Sequence, residues 1–178
     1  AAARAAGAPL AAPASFAAAR ERNPTKERLT TAGGTYYGNL QDGMFHGRGQ
    51  YLYASGDTYV GEYQFGEQRG QGIYTSAIGD IYTGAFQNDL AHGHGHATFA
   101  NGDQYEGDWL LGERTGQGKY TWADGQTSEG GWKDGRSIGR HEHRWPDGRS
   151  KAYNFDEDGV LVSRDHVGVF ERARFKFP

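Results

Sequence analysis

Residues 105–125 read YEGDWLLGERTGQGKYTWADG, and the same skeleton stands 23 residues earlier as YTGAFQNDLAHGHGHATFANG (82–102). Two further copies open at Tyr59 (YVG) and Tyr36 (YYG), and a fifth opens at Ser128 (SEG). A glycine holds the third place of every unit (Gly38, Gly61, Gly84, Gly107, Gly130), the twelfth (Gly47, Gly70, Gly93, Gly116, Gly139) and the twenty-first (Gly56, Gly79, Gly102, Gly125, Gly148). The fifth place is bulky throughout: Leu40, Tyr63, Phe86, Trp109 and Trp132. The eighteenth is Tyr53, Ser76, Phe99, Trp122 and Trp145. A fixed period this short, held over residues 36–150, is the mark of a stacked architecture in which each unit buries its apolar side against its neighbours.

Places 1, 3 and 5 share one alternation and places 14, 16 and 18 another, so each unit reads as two short strands. Turn-rich stretches such as QDGMFHG (41–47) and KDGRSIG (133–139) separate them, and ASGD, NGD, ADG and PDG join one unit to the next. The expected fold is all-β: an elongated antiparallel sheet of stacked β-hairpins with extended N- and C-terminal tails. Fixed glycines serve positive φ or the close approach of a backbone or ring. Three segments follow: an Ala-rich low-complexity extension (1–35), five 23-residue repeats (36–150), and a half repeat or cap with an extended tail (151–178). The cap segment has Tyr153 where the repeat calls for glycine.

Composition narrows the function classes. Twenty-nine glycines, five prolines, 13% aromatic residues and 36% hydrophobic residues describe many tight turns packed with rings, neither collagen-like nor a ring-poor disordered tract. The absence of cysteine excludes disulfides, Cys-ligated zinc and thiol chemistry, and agrees with a reducing compartment. No apolar run approaches the roughly 18 residues of a membrane-spanning helix.

The pattern resembles the MORN (membrane occupation and recognition nexus) repeat family, whose consensus approximates YEGEW-x-x-G-x-x-HGxG followed by an aromatic residue and a DG turn. Tyr105–Gly125 matches it well. The resemblance implies a meandering antiparallel sheet with a twisted concave face lined by rings. The fifth unit departs from it, with Ser128 in place of the first aromatic residue and His141 in place of the second glycine of GxG.

Three alternating histidines, His92, His94 and His96, invite a metal reading, since side chains two apart on a strand share a face. Same-face positions lie roughly 6.6 Å apart, too far for one ion without bending, and the residues flanking the run hold no carboxylate or cysteine. His92 and His46 also fall on the family's histidine place. His141 and His143 carry the opposite parity and are expected to face away from the first group. The reading is therefore of solvated turn and strand histidines, with no metal and no cofactor expected. Enzyme signatures dissolve in the same way. GRSIG (135–139) has the form of a nucleophile elbow around Ser137, but its glycines are repeat places and no helix follows. GERTGQGKY (112–120) misses phosphate-loop spacing and has Tyr120 where a magnesium-binding hydroxyl belongs. Glu106 and Asp108 read as a solubilising strand surface. The chain reads as non-enzymatic.

Charge is unevenly spread. Residues 31–158 hold ten Lys or Arg against eighteen Asp or Glu, a net −8, whereas residues 1–30 carry +3 and residues 159–178 carry +2. An acidic body without a basic cluster disfavours both anionic lipid and nucleic acid. AAARAAGAPLAAPASFAAAR (1–20) resembles an organellar transit segment in plastid or mitochondrion, or else a disordered or partner-bound extension. The end segment from Gly159, with alternating Val160, Val162, Val167 and Val169, then Phe175 and Phe177 among Arg174 and Lys176, reads as an extended strand that caps the last hairpin or docks on a partner.

The expectation is a protein-protein interaction scaffold, a structural subunit of a larger assembly that docks partner segments on its ring-lined face. The candidate lining is Tyr51, Tyr53, Tyr74, Phe99, Tyr120, Trp122 and Trp145. The resemblance adds settings such as radial spoke heads of cilia and cytoskeletal scaffolds. Junctophilins and plant phosphatidylinositol phosphate kinases supply the competing reading of a phospholipid or membrane-contact module. An accessory subunit of an organellar supercomplex is a further setting.

Overall fold

The computed structural model describes residues 27–162. They form twelve strands: β1 Glu27–Thr31, β2 Gly34–Gln41, β3 Met44–Tyr53, β4 Thr58–Gln64, β5 Glu67–Thr75, β6 Ile81–Gln87, β7 Leu90–Thr98, β8 Gln104–Leu110, β9 Glu113–Thr121, β10 Thr127–Lys133, β11 Arg136–Arg144 and β12 Ser150–Phe155. Each pairs antiparallel with its sequence neighbours in one open sheet, in the order β1 to β12, with no helix among the described residues. At ~4.8 Å per strand the sheet runs roughly 50 Å across its strands. It starts before the first repeat, because β1 lies inside the segment 1–35. Both expected tails fall largely outside the described residues: 1–26, with the transit-like stretch, and 163–178, with Val167, Val169, Arg174, Phe175, Lys176 and Phe177.

Each unit is a hairpin closed by a two-residue turn whose residues both have positive φ: Asp42–Gly43, Phe65–Gly66, Asn88–Asp89, Leu111–Gly112 and Asp134–Gly135. That is the type I′ geometry matching the twist of the flanking strands. Next, the second strand of each hairpin carries extra residues, and the glycine at place 12, at φ 59–76°, takes up the irregularity. The irregularity displaces the register by two residues, which leaves the parity of the pairing unchanged. Places 1 and 5 of the first strand and places 10, 14, 16 and 18 of the second line one face, because the two-residue turn sets odd places opposite even ones, as Leu40 opposite Phe45 and Tyr36 opposite Tyr51.

On that face the Tyr at place 1 lies flat over a cross-strand pair of glycines: Tyr36 over Gly38 and Gly49, Tyr59 over Gly61 and Gly72, Tyr82 over Gly84 and Gly95, Tyr105 over Gly107 and Gly118. A Cβ on Gly49, Gly72, Gly95 or Gly118 would sit inside the ring. The tyrosine hydroxyls donate to the place 4 carbonyls of Asn39, Glu62, Ala85 and Asp108 at 2.9–3.3 Å. Place 5 rings then wedge between successive tyrosines. Ten rings follow one another edge to face: Tyr36, Tyr63, Tyr59, Phe86, Tyr82, Trp109, Tyr105, Trp132, His141 and Phe155. Their centroids are 4.8–5.5 Å apart and their planes 72–87° apart. Trp109 and Trp132 add indole N–H bonds to the carbonyls of Gly95 and Gly118.

Two substitutions separate the contributions of ring seating and hydroxyl bonding. Gly95→Ala overpacks the Tyr82 seat and is expected to cost about 3 kcal/mol in denaturant unfolding. Tyr82→Phe keeps the ring and is expected to cost about 1 kcal/mol.

Candidate partner-binding face

A second row of rings flanks the first on the same face, built from places 16 and 18. It contains Tyr51, Tyr53 and Tyr74 at one end and Phe99, Tyr120, Trp122, His143 and Trp145 at the other, with Ser76 and Ala97 between. Neighbouring ring centroids lie 4.4–6.4 Å apart (Tyr51–Tyr53, Tyr53–Tyr74, Phe99–Tyr120, Tyr120–Trp122, Trp122–His143, His143–Trp145), stacked at Phe99–Tyr120 and tilted or edge-on in the other pairs. The expected lining divides into two groups. Tyr74, Phe99 and Tyr120 are buried within the chain, at 1%, 9% and 8% exposure, so they belong to the core and offer a partner little surface. Tyr51, Tyr53, Trp122 and Trp145 are half-buried and remain reachable.

Carboxylates fix this row to its turns. Asp57, Asp80 and Asp103 at place 22 each accept the backbone N–H of the alanine at place 19 of the following turn, Ala77, Ala100 and Ala123, at 2.7–2.9 Å. Tyr120 donates its hydroxyl to Asp103 at 2.6 Å. Burial alone would raise the Asp57 pKa, but bonds from Ala77, Ser55 and Tyr74 outweigh it and hold the carboxyl below its ordinary value. The series ends at the step from the fourth unit to the fifth, where Gln126 takes the Asp place. The residue it would cap is Pro146, which has no N–H to offer. Tyr53, partly buried, accepts from Gln68 at 2.5 Å, and burial, reinforced by Asp89, pushes its hydroxyl up to about 12.

Two charged or polar side chains enter the core at place 10. Gln68 is held by Tyr53, while Arg114, 5% exposed, lies 4.4 Å over Trp132 and 5.5–5.6 Å from Tyr105 and Tyr120, donating to the Gly135 carbonyl at 2.7 Å. Periodicity gives no warning of Arg114, because place 10 is Phe45, Gln68, Ala91, Arg114 and Ser137 in turn.

In the fifth unit the ring changes strands. Ser128 stands in the tyrosine place, and the imidazole of His141, growing from the glycine place of the opposite strand, fills the seat over Gly130. Its Nε2 lies 2.8 Å from the Gly131 carbonyl, repeating the bond that Tyr hydroxyls make elsewhere, and its Nδ1 lies 3.0 Å from Ser128 Oγ. His141 and His143 are buried at 0% and 7% exposure, which corrects their reading as solvated side chains: the ring-lined face needs aromatic groups at these places, and imidazoles supply them.

The other histidines take a different side. Gly93, at φ 65°, interrupts the simple alternation of His92, His94 and His96. His94 is exposed and faces Asp108 at 3.5 Å and Glu106 at 3.9 Å, carboxylates brought from the next strand. Among the described residues no group of three His, Cys, Asp or Glu side chains is placed to hold a metal ion. GRSIG occupies a hairpin turn and the start of β11, where Ser137 pairs with Trp132.

The opposite edge, at the hairpin tips, carries a feature that periodicity misses. Phe65 and Leu111 adopt left-handed φ of 53° and 51° while 59% and 66% exposed, in a place where Asp42, Asn88 and Asp134 tolerate that geometry. Left-handed backbone costs a bulky residue about 1–2 kcal/mol. Phe65 recovers part of this against the His46 ring, 5.8 Å away.

The geometry defines a linear repeat protein of stacked β-hairpins. The MORN repeat family matches residues 36–58, 59–81, 82–104 and 105–127, just over half of the chain, and the chain belongs to that family. The match ends where Ser128 opens the altered unit. No curated protein matches the sequence. Among solved structures, the TCP10c domain of Drosophila melanogaster Sas-4 is 14% identical with a TM-score of 0.38, covering 71% of this chain and 97% of that one. The SAS-4 (dCPAP) TCP domain of the same organism, in complex with a proline-rich motif of Ana2 (dSTIL), is 17% identical with a TM-score of 0.34, covering 84% and 96%. These scores fall below the level of a shared fold.

The strand exchange of the fifth unit has a direct test. Ser128→Tyr alone crowds His141 and His141→Gly alone empties the seat, each expected to cost about 2–3 kcal/mol. The double variant recreates the Tyr-over-Gly seat and is expected to recover at least half of the summed loss in a denaturant-unfolding cycle.

Proposed function

We propose that the chain is a non-enzymatic protein-protein interaction scaffold, a structural subunit that docks a partner segment along the outer ring row. The observation that carries this reading is the incomplete burial of Tyr51, Tyr53, Trp122 and Trp145 beside an inner row that the chain buries by itself. Half-buried Tyr and Trp on a rigid sheet are suited to anchor a partner at low entropic cost. The exposed tips at Phe65 and Leu111 supply a second, narrower contact edge. The acidic body favours protein over anionic lipid. The setting we propose is a cytoskeletal or ciliary assembly, the one that the family resemblance implies.

Crosslinking mass spectrometry on native material, followed by binding measurements with the partner it names, tests this reading. Trp122→Ala and Trp145→Ala are each expected to weaken binding roughly tenfold without unfolding the chain. Unchanged affinity in both variants, crosslinks confined to the His94 and Glu106 face, or strong co-sedimentation with anionic vesicles would contradict it.

A further inference from the structure

The altered fifth unit places two imidazoles where the other units have a glycine (place 14) and, in three of the four, a tyrosine ring (place 16, with Ala97 the exception). His141 has both nitrogens engaged. The Gly131 carbonyl can only accept, so Nε2 carries the hydrogen and Nδ1 accepts from Ser128. A second proton would have to enter at Nδ1, turning the Ser128 hydroxyl away and leaving a full charge in a fully buried seat. The groups around it are Ser128, Gly130, Gly131 and Trp132 on β10, and Tyr153 and Phe155 on β12, none of them a carboxylate.

His143 lies between Trp122, Trp145 and Tyr153, with ring centroids at 5.1, 4.4 and 5.8 Å. Its Nε2 is 2.9 Å from Gln126 Oε1, and its Nδ1 is buried without a partner. The charged groups around it are Asp124 on the turn before β10, Lys151 directly across on β12, and Arg149 against the far ring of Trp145. Arg149 is itself paired with Asp147 at 2.7 Å, which leaves Asp124, on an exposed turn, set against Lys151.

We propose that His141 and His143 make β10–β12 an acid-released end of the sheet: protonation of the two imidazoles detaches this end from β9 while the units ahead of it stay folded. Burial, the leading cause, lowers both imidazole pKa values, opposed by the Gly131 carbonyl at His141 and by Asp124 at His143. A folded-state pKa below that of the free imidazole means that the unfolded end takes up protons first. Its stability is whole above about pH 6.5 and falls as pH drops below that value. In a sheet whose units touch only their neighbours, an end opens without the middle. The remaining described histidines, His46, His92, His94 and His96, are half-buried or exposed. Release would uncover the free edge of β9 together with Trp122, a strand-pairing surface absent at neutral pH.

Hydrogen-deuterium exchange on the full chain at pH 7 and pH 5, corrected for intrinsic rates, reads this directly. Residues 128–155 are expected to exchange roughly tenfold faster or more at pH 5, relative to residues 59–121. The variant Ser128→Tyr/His141→Gly/His143→Tyr, which restores the pattern of the other units, is expected to lose that pH dependence. His143→Tyr alone is expected to reduce it. The proposal is overturned if protection over 128–155 is the same at both pH values, if the whole sheet loosens equally, or if neither variant reduces the change.

Discussion

A tyrosine ring lying on two glycines is the contact on which this sheet depends. The missing Cβ atoms let the ring of Tyr36, Tyr59, Tyr82 or Tyr105 reach the backbone of its own hairpin, and the flattened ring then offers its edges to the bulky residue at place 5 on either side. Each edge-to-face contact contributes about 1 kcal/mol beyond area burial. The file is one-dimensional, like the sheet it supports.

The remaining constraints keep neighbouring hairpins in register. Turn carboxylates Asp57, Asp80 and Asp103 tie one side of the sheet from unit to unit. On the other side the second residue of each tip turn from the second onward donates its N–H to the hairpin before it, as Gly66 does to Phe45 and Gly112 to Ala91. Where one term changes, its partner changes as well: Gln126 meets Pro146, and Ser128 meets His141. The fifth unit is thus an altered copy with compensating substitutions, and its chemistry differs from the other four in being sensitive to protons.

Much of this was legible in the sequence. Twenty-three-residue spacing of glycine and rings gave the strands, the hairpins and the inner ring row, because those places are dictated by packing and repeat in every unit. Alternation set His141 and His143 on the side of the ring lining, away from His92, His94 and His96, and the structure keeps them there. What it did not give is depth, since Tyr74, Tyr120, His141 and His143 are buried by the chain itself while Tyr51 and Trp122 are half-buried. Arg114, Phe65 and Leu111 could not be foreseen, since each occurs once at a place whose residues vary. The carboxylates facing His94 come from the neighbouring strand and emerge only with the pairing register.

Excision of residues 82–104, one full unit, tests the claim that stacking mechanics placed these residues. The cut joins Ile81 to Tyr105 and leaves the ring order, the turn chemistry and the glycine seats in register. The expected product is a folded ten-strand sheet that unfolds in one transition at lower denaturant, whereas removal of half a unit abolishes folding. A chain that collapses on loss of the whole unit, or tolerates both cuts equally, would contradict the account.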